Sequence, residues 1–218
     1  MTKQLFKKEL RLSASPLSYL FILFGVLTMA PGYPILLAAF FVTFGIFHSF
    51  QSARENSDIL YTALLPIAKK QVVKAKFLFC GFIEGCSFLL ITILCLIRMT
   101  VLKDATAYRN NALMNANFVF LGFVLVAFGL FNFIFVRGFF KTAYKFAAPF
   151  VKYIVAVFVL TGFAETLHHI PALKAVNAFG FDNLFVQIFA LVLGLLIFLS
   201  LTLIAFKSSV CRFEKIDL

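Results

Sequence analysis

The 218-residue sequence contains no tryptophan, and only 13% of its residues are charged. Acidic residues are the scarcer part of that charge, with 9 Asp and Glu against 20 Lys and Arg and a formal net charge of +11. So little charge beside 62% hydrophobic residues excludes a soluble domain of this length and indicates a polytopic, all-α membrane protein. The basic excess forms no single stripe. It clusters at the edges of apolar runs, which excludes a nucleic-acid footprint and matches the way cations flank membrane spans. No internal repeat relates the two halves.

A Walker A loop is also missing. Gly138-Phe139-Phe140-Lys141-Thr142 has a lysine and a threonine but lacks the glycine that must precede the lysine for the backbone to wrap phosphates. The chain is therefore expected to be non-catalytic and to bind no cofactor of its own. Cys80, Cys86 and Cys95 fall in one predicted span and Cys211 in the tail, so they make neither a disulfide framework nor a paired metal spacing. Glu165 and His168 stand at i, i+3 with His169 beside them, but no third ligand is near in sequence and the HExxH order is absent; interfacial anchoring is favoured over a metal site. The 32 phenylalanines are read as lipid-facing and interhelical filler rather than a substrate cage.

What is present is a series of apolar runs. Residues Thr2 to Leu12 predict an amphipathic helix lying on the membrane surface (segment 1–13), with Leu5, Phe6, Leu10 and Leu12 on one arc and Lys3, Lys7, Lys8 and Arg11 on the other. Glu9 falls inside the apolar arc, either as a partner contact or tolerated at its rim. A cleavable signal peptide is rejected because no small-residue cleavage motif follows the run. Leu17 to Ala30 and Ile35 to Phe50 flank the turn Pro31-Gly32-Tyr33-Pro34. Each falls short of the roughly 20 residues of a full span, so each must recruit neighbours or form a hairpin that dips and returns. Further spans are predicted at Phe77 to Ile97, Phe118 to Val136, Val151 to Phe163 and Leu184 to Phe206, six in all. Residues 164–183 read as broken half-helices at the outer surface. With both termini cytoplasmic, 16 of the 20 Lys and Arg lie on the inner side, which fixes the expected orientation in the cell membrane.

The long charged interruption, residues 51–76, separates the second and third runs. Ile59, Leu60, Ala63 and Leu64 have the spacing of one helical face, with Ser57 as N-cap and Pro66 as stop; Lys69, Lys70, Lys74 and Lys76 then lead into the next span. Arg54-Glu55, the apolar turn from Ile59 to Leu65, Pro66 and the stretch from Lys69 to Lys76 resemble the cytoplasmic loop of permease subunits of type-2 ATP-binding-cassette exporters. The whole arrangement is similar to the small permeases that export phenol-soluble modulins and similar peptides. This sequence departs from that pattern at Ser57, where a glycine is common, at Leu64 and Leu65, where small hydroxyl residues are usual, and at Ala68, where a Ser or Thr is usual. The resemblance implies a short coupling helix in this loop, with Arg54, Glu55, Asp58, Ile59, Leu60, Leu64, Pro66 and Lys69 contacting an ATPase. It also implies a pair of partner ATPases that hold ATP and Mg, and a second permease copy, identical or not.

Glu84, about two turns past Lys76, is an ionisable residue within a span and so a candidate for the translocation path. Asn132 raises the same choice, with packing as the competing role for both. The expected function is export of amphipathic or hydrophobic substrates, peptides or small molecules, by alternating access. The alternative is a secondary carrier or channel in which Glu84 titrates.

Overall fold

The computed structural model describes residues 2–109, 112–167 and 169–216, and the side chains of all of these except residues 60, 63 and 172. It is helical, with no strand among the described residues. Four helices are long and apolar enough to cross a membrane: α5 (Lys69–Thr100), α7 (Phe118–Leu130) with its continuation to Phe139, α9 (Ala147–Leu167) and α10 (Leu184–Glu214). A fifth is added if α1 (Thr2–Lys8) and α2 (Pro16–Leu20), with their continuations, form one span bent by 95°. The remaining α-helices are α3 (Leu37–Glu55), α4 (Asp58–Ala63), α6 (Thr106–Arg109) and α8 (Arg137–Phe139). α1, α4, the start of α5 and the described residues from the end of α10 up to Ile216 lie together at one end of the bundle, called here the terminal face; the opposite end is the far face.

The short first run gains length by changing its winding. After α2 it continues as a 3-10 helix over Phe21–Met29. The larger rise of that helix carries Pro16 to Met29 across about 25 Å, where an α-helix would reach about 21 Å. Ser15 caps α2 by accepting from the Leu17 N–H (3.3 Å), and Ser18 donates to the Gly45 carbonyl (2.6 Å), which draws α2 against α3. A side chain at position 45 would stand 2.5 Å from Phe21 Cβ, so only glycine permits this approach. The second run recruits its polar neighbours, as expected, since α3 continues through Gln51 to Glu55.

Other predicted boundaries need correction. The third helix begins at Lys69 rather than Phe77, and its 32 residues span about 48 Å, more than a bilayer core requires. The basic ramp is therefore the first two turns of a continuous helix, because Lys, Gln and Ala are good helix formers and Pro66 stands clear of it. In the N-terminal helix the inward stripe is Leu5, Glu9 and Ser13, whereas Leu12 is exposed. A π turn over Glu9–Ser13 rotates the face that the simple arc assigned.

The spans differ sharply in how the protein covers them. In α7 and its continuation 72% of the apolar window is buried, against 11% in α10. α7 is thus the central post, and α10 lies along it with most of its surface outward. Their contact is made by small residues: a Cβ on Gly194 would stand 2.5 Å from the Gly122 carbonyl oxygen, and one on Gly122 would stand 2.7 Å from the Ala190 carbonyl oxygen. Backbones that approach this closely gain packing where no hydrophobic force separates helix from lipid. Toward the terminal face an aromatic cluster fills the bundle, with Phe47 stacked on Phe150 at 3.9 Å and Phe50 edge-on to Phe135 at 5.1 Å and Phe139 at 4.9 Å. This is interhelical filling, one of the two roles expected for phenylalanine.

Candidate functional site

The terminal face is organised by four charged residues from three segments. Lys76, two turns into α5, is 2% exposed and pairs with Glu9, also 2% exposed, at 2.5 Å. Asp58, the first residue of α4, pairs with Lys8 at 2.5 Å and stands 3.6 Å from Lys76. Lys8 closes the set with Glu9 at 3.3 Å and donates to the Thr62 hydroxyl at 2.9 Å, while the Ser13 hydroxyl donates to Asp58 at 3.0 Å. Burial works against the Asp58 carboxylate, but the charge of Lys76, the hydrogen bond and charge of Lys8, and the Ser13 hydroxyl outweigh it and hold the group below its ordinary value. Glu9, which spoils the apolar arc in the sequence, is thus an internal partner of Lys76.

α4 is where the sequence places it, a six-residue helix after α3. Ser57 is not an extended N-cap: its φ is +52°, in the left-handed region that glycine occupies without strain. The turn therefore has a backbone that glycine adopts more readily than serine. The single apolar face divides in two. Ile59 is buried against the bundle, whereas Leu64 lies past the end of α4 and is 82% exposed, with Tyr61 and Leu65 exposed beside it. The Leu60 side chain lies outside the described ones. Between this loop and α1 runs a groove of about 550 Å³, lined by Gln4, Leu5, Lys8, Asp58, Tyr61 and Pro66 among others.

The other predicted loop residues are tied into the bundle. The Arg54 guanidinium lies over the rings of Tyr144 (5.0 Å) and Phe146 (4.6 Å), fastening the end of α3 to the loop before α9. Glu55 accepts from Gln51 at 3.1 Å and is exposed. Lys69 donates to the Ile216 carbonyl at 2.5 Å and so binds the start of α5 to the end of the chain.

Deep in the bundle, Glu84 and Asn132 come together. Asn132 donates to Glu84 Oε2 at 3.1 Å and to the Thr202 hydroxyl at 3.2 Å, linking α5, the α7 post and α10. Asn132 projects from a second π turn, Phe131–Val136, and π turns are frequent at functional sites. Glu84 Oε1 and Asn132 Oδ1 are buried without a hydrogen-bond partner among the described residues. The two residues share a site that their separation of 48 positions does not advertise.

The far face is closed by amides and carbonyl caps. Arg98 donates to the Thr28 carbonyl at 2.6 Å and Tyr108 to that of Met29 at 2.9 Å, completing the end of the 3-10 run. Asn117 donates to the Val176 carbonyl at 3.0 Å and Gln187 to that of Asp182 at 2.8 Å, so the 3-10 segment Pro171–Asn177 and the turn after it are packed onto the bundle. Glu165 accepts from the Met114 N–H at 2.8 Å, an anchoring role; His168 lies outside the described residues. Among the described residues no group of three His, Cys, Asp or Glu is placed to hold a metal.

Several apolar helices long enough to cross a bilayer define a multi-pass helical membrane protein. The chain belongs to the ABC-2 family of transporters: the family model described as ABC-2 family transporter protein matches residues 4–213. It is accordingly a permease of the ABC transporter type, and membership implies ATPase subunits as partners. No curated protein and no solved structure matches the chain.

Proposed function

We propose that this chain is the membrane subunit of an ATP-driven exporter and that separate ATPase subunits dock on its terminal face through the loop after α4. The observation that carries the reading is the exposed apolar tip, with Tyr61 at 69%, Leu64 at 82% and Leu65 at 52% exposure. It projects from a loop whose other side is fastened to the bundle by Asp58 and Ile59. An apolar patch outside the spans, held in place yet uncovered, fits a protein partner. The terminal face is the cytoplasmic one, since 16 of 20 Lys and Arg belong to its segments. On this reading α2 with its 3-10 run and α3 are the first two of six spans, and two permease copies work over two ATPases. ATP and Mg are held, and ATP is hydrolysed, in those partners. Closure of the ATPase pair pushes the loops and converts the spans between inward and outward access. The cargo is amphipathic or hydrophobic, peptides among the candidates.

The test is to purify the tagged chain in mild detergent and ask whether a nucleotide-binding subunit accompanies it. Its absence from complexes that retain two permease copies contradicts the reading. Orientation is checked with a membrane-impermeant thiol reagent on intact cells: Cys211 should be spared and Lys103→Cys should react, and the reverse pattern places the loop on the wrong side for an ATPase.

A second reading, a secondary carrier or channel that uses Glu84, is favoured by the unpartnered Glu84 Oε1. Glu84→Gln separates the two. Transport that is unchanged over a broad pH range removes the carrier reading; transport that is abolished with ATPase binding intact places Glu84 on the path of the exporter, and only pH-driven transport without any ATPase supports the carrier.

A further inference from the structure

We infer that the cluster of Lys8, Glu9, Asp58 and Lys76 is a clasp that makes α1, α4 and the first turns of α5 move as one body, so that a push on the loop enters α5 directly; this rests on the coupling reading above. By backbone alone α4 is a poor lever. It has six residues, follows a left-handed turn at Ser57 and joins α5 only through the irregular segment 64–68 around Pro66. The ion cluster bypasses that segment: Asp58 reaches Lys76 on α5 at 3.6 Å and Lys8 on α1 at 2.5 Å, and Glu9 returns from α1 to Lys76 at 2.5 Å. Lys76 and Glu9 are each 2% exposed, so solvent and salt screen their pairing little, and separating them strands a buried charge. These are positioning residues. They hold the loop against the span, and each has its charge committed within the cluster.

The experiment uses the full chain with its co-purified ATPase in nanodiscs, spin-labelled at Lys3→Cys on α1, which Lys8 ties to α4, and Leu96→Cys, near the far end of α5, in a Cys86→Ser/Cys211→Ser background. In otherwise wild-type protein the distance between labels should be the same with and without nucleotide. The double variant Glu9→Leu/Lys76→Met removes both charges together and strands neither, so it should fold and retain the ATPase. In it the distance should shift with nucleotide by about 2 Å or more, the scale of helix displacements in switching proteins. The proposal is overturned by a nucleotide-dependent distance in the wild type, or by an unchanged distance in the double variant. It is equally overturned if the double variant does not fold while Lys76→Arg does, because the cluster is then a folding element alone. Failure of the wild type to retain an ATPase overturns the coupling reading itself, and the clasp with it.

Discussion

Two glutamates, Glu9 and Glu84, are each 2% exposed, and their surroundings could hardly differ more. Glu9 faces Lys76 at 2.5 Å and Lys8 at 3.3 Å, so its charge is answered where it lies. Glu84 has a single amide donor at 3.1 Å, no cation within pairing distance among the described residues, and an oxygen left without a partner. The first is a joint between segments that meet outside the spans. The second keeps unused acceptor capacity in the middle of a bundle, where polar groups are costly to leave unsatisfied. Burial marks both alike; only the inventory of partners tells a structural charge from a candidate working one.

The comparison breaks most readily at Lys76. Lys76→Met takes from Glu9 its closer cation, leaving Lys8 at 3.3 Å, and should cost up to about 3–5 kcal/mol, the scale for one partner lost from a buried pair. The thermal unfolding midpoint and detergent yield should both fall, and the added Glu9→Leu should restore most of the loss. Stability equal to wild type for Lys76→Met means that the Glu9 charge does not need its cation. A smaller effect is expected at the other carboxylate. Asn132→Leu removes the one donor to Glu84 and should cost about 1–3 kcal/mol, whereas Glu84→Gln should lie within about 1 kcal/mol of wild type. A collapse of Glu84→Gln comparable to Lys76→Met would make the two sites equivalent.

The mildest effect is on the acid side. The Asp58 carboxyl is held below its ordinary value of 3.8, so its contribution is complete above that value and is lost as the pH falls through the lower folded value. Hydrogen-exchange protection of residues 2–13, corrected for intrinsic rates, should be level from neutrality down to the ordinary value and decline below it. Asp58→Asn should remove that decline.

Much of this was legible in the sequence because membrane burial writes long apolar runs and their charged edges plainly. Those runs and the loop helix between Asn56 and Pro66 are present in the structure. The misjudged features have local physical causes. A π turn in the chain at Glu9–Ser13 shifts the helical phase, so an arc drawn at 3.6 residues per turn put Leu12 inward; Glu9 lies inside that arc and is buried there, and it stood out only because its cation is remote in sequence. The same device at Phe131–Val136 carries Asn132 toward Glu84. Apolar character alone also failed to say what each residue faces: Ile59 turns to its own bundle and Leu64 away from it. The one sequence sign of the clasp was the acid in the arc, 67 positions from the lysine that answers it, a distance at which pattern carries no pairing information.

The central claim, that the exposed loop tip is the seat of an ATPase, is tested most directly by Leu64→Asp. Leu64 is 82% exposed and makes little contact with its own chain, so folding and membrane insertion should be unchanged. A leucine buried in a partner contributes roughly 1.5–3 kcal/mol, so an aspartate there should weaken ATPase binding about tenfold or more. The measurement is the affinity of purified ATPase for the chain in nanodiscs, wild type beside Leu64→Asp. A loss of that size with an unchanged unfolding midpoint is the predicted result; equal affinity for the two proteins contradicts the account.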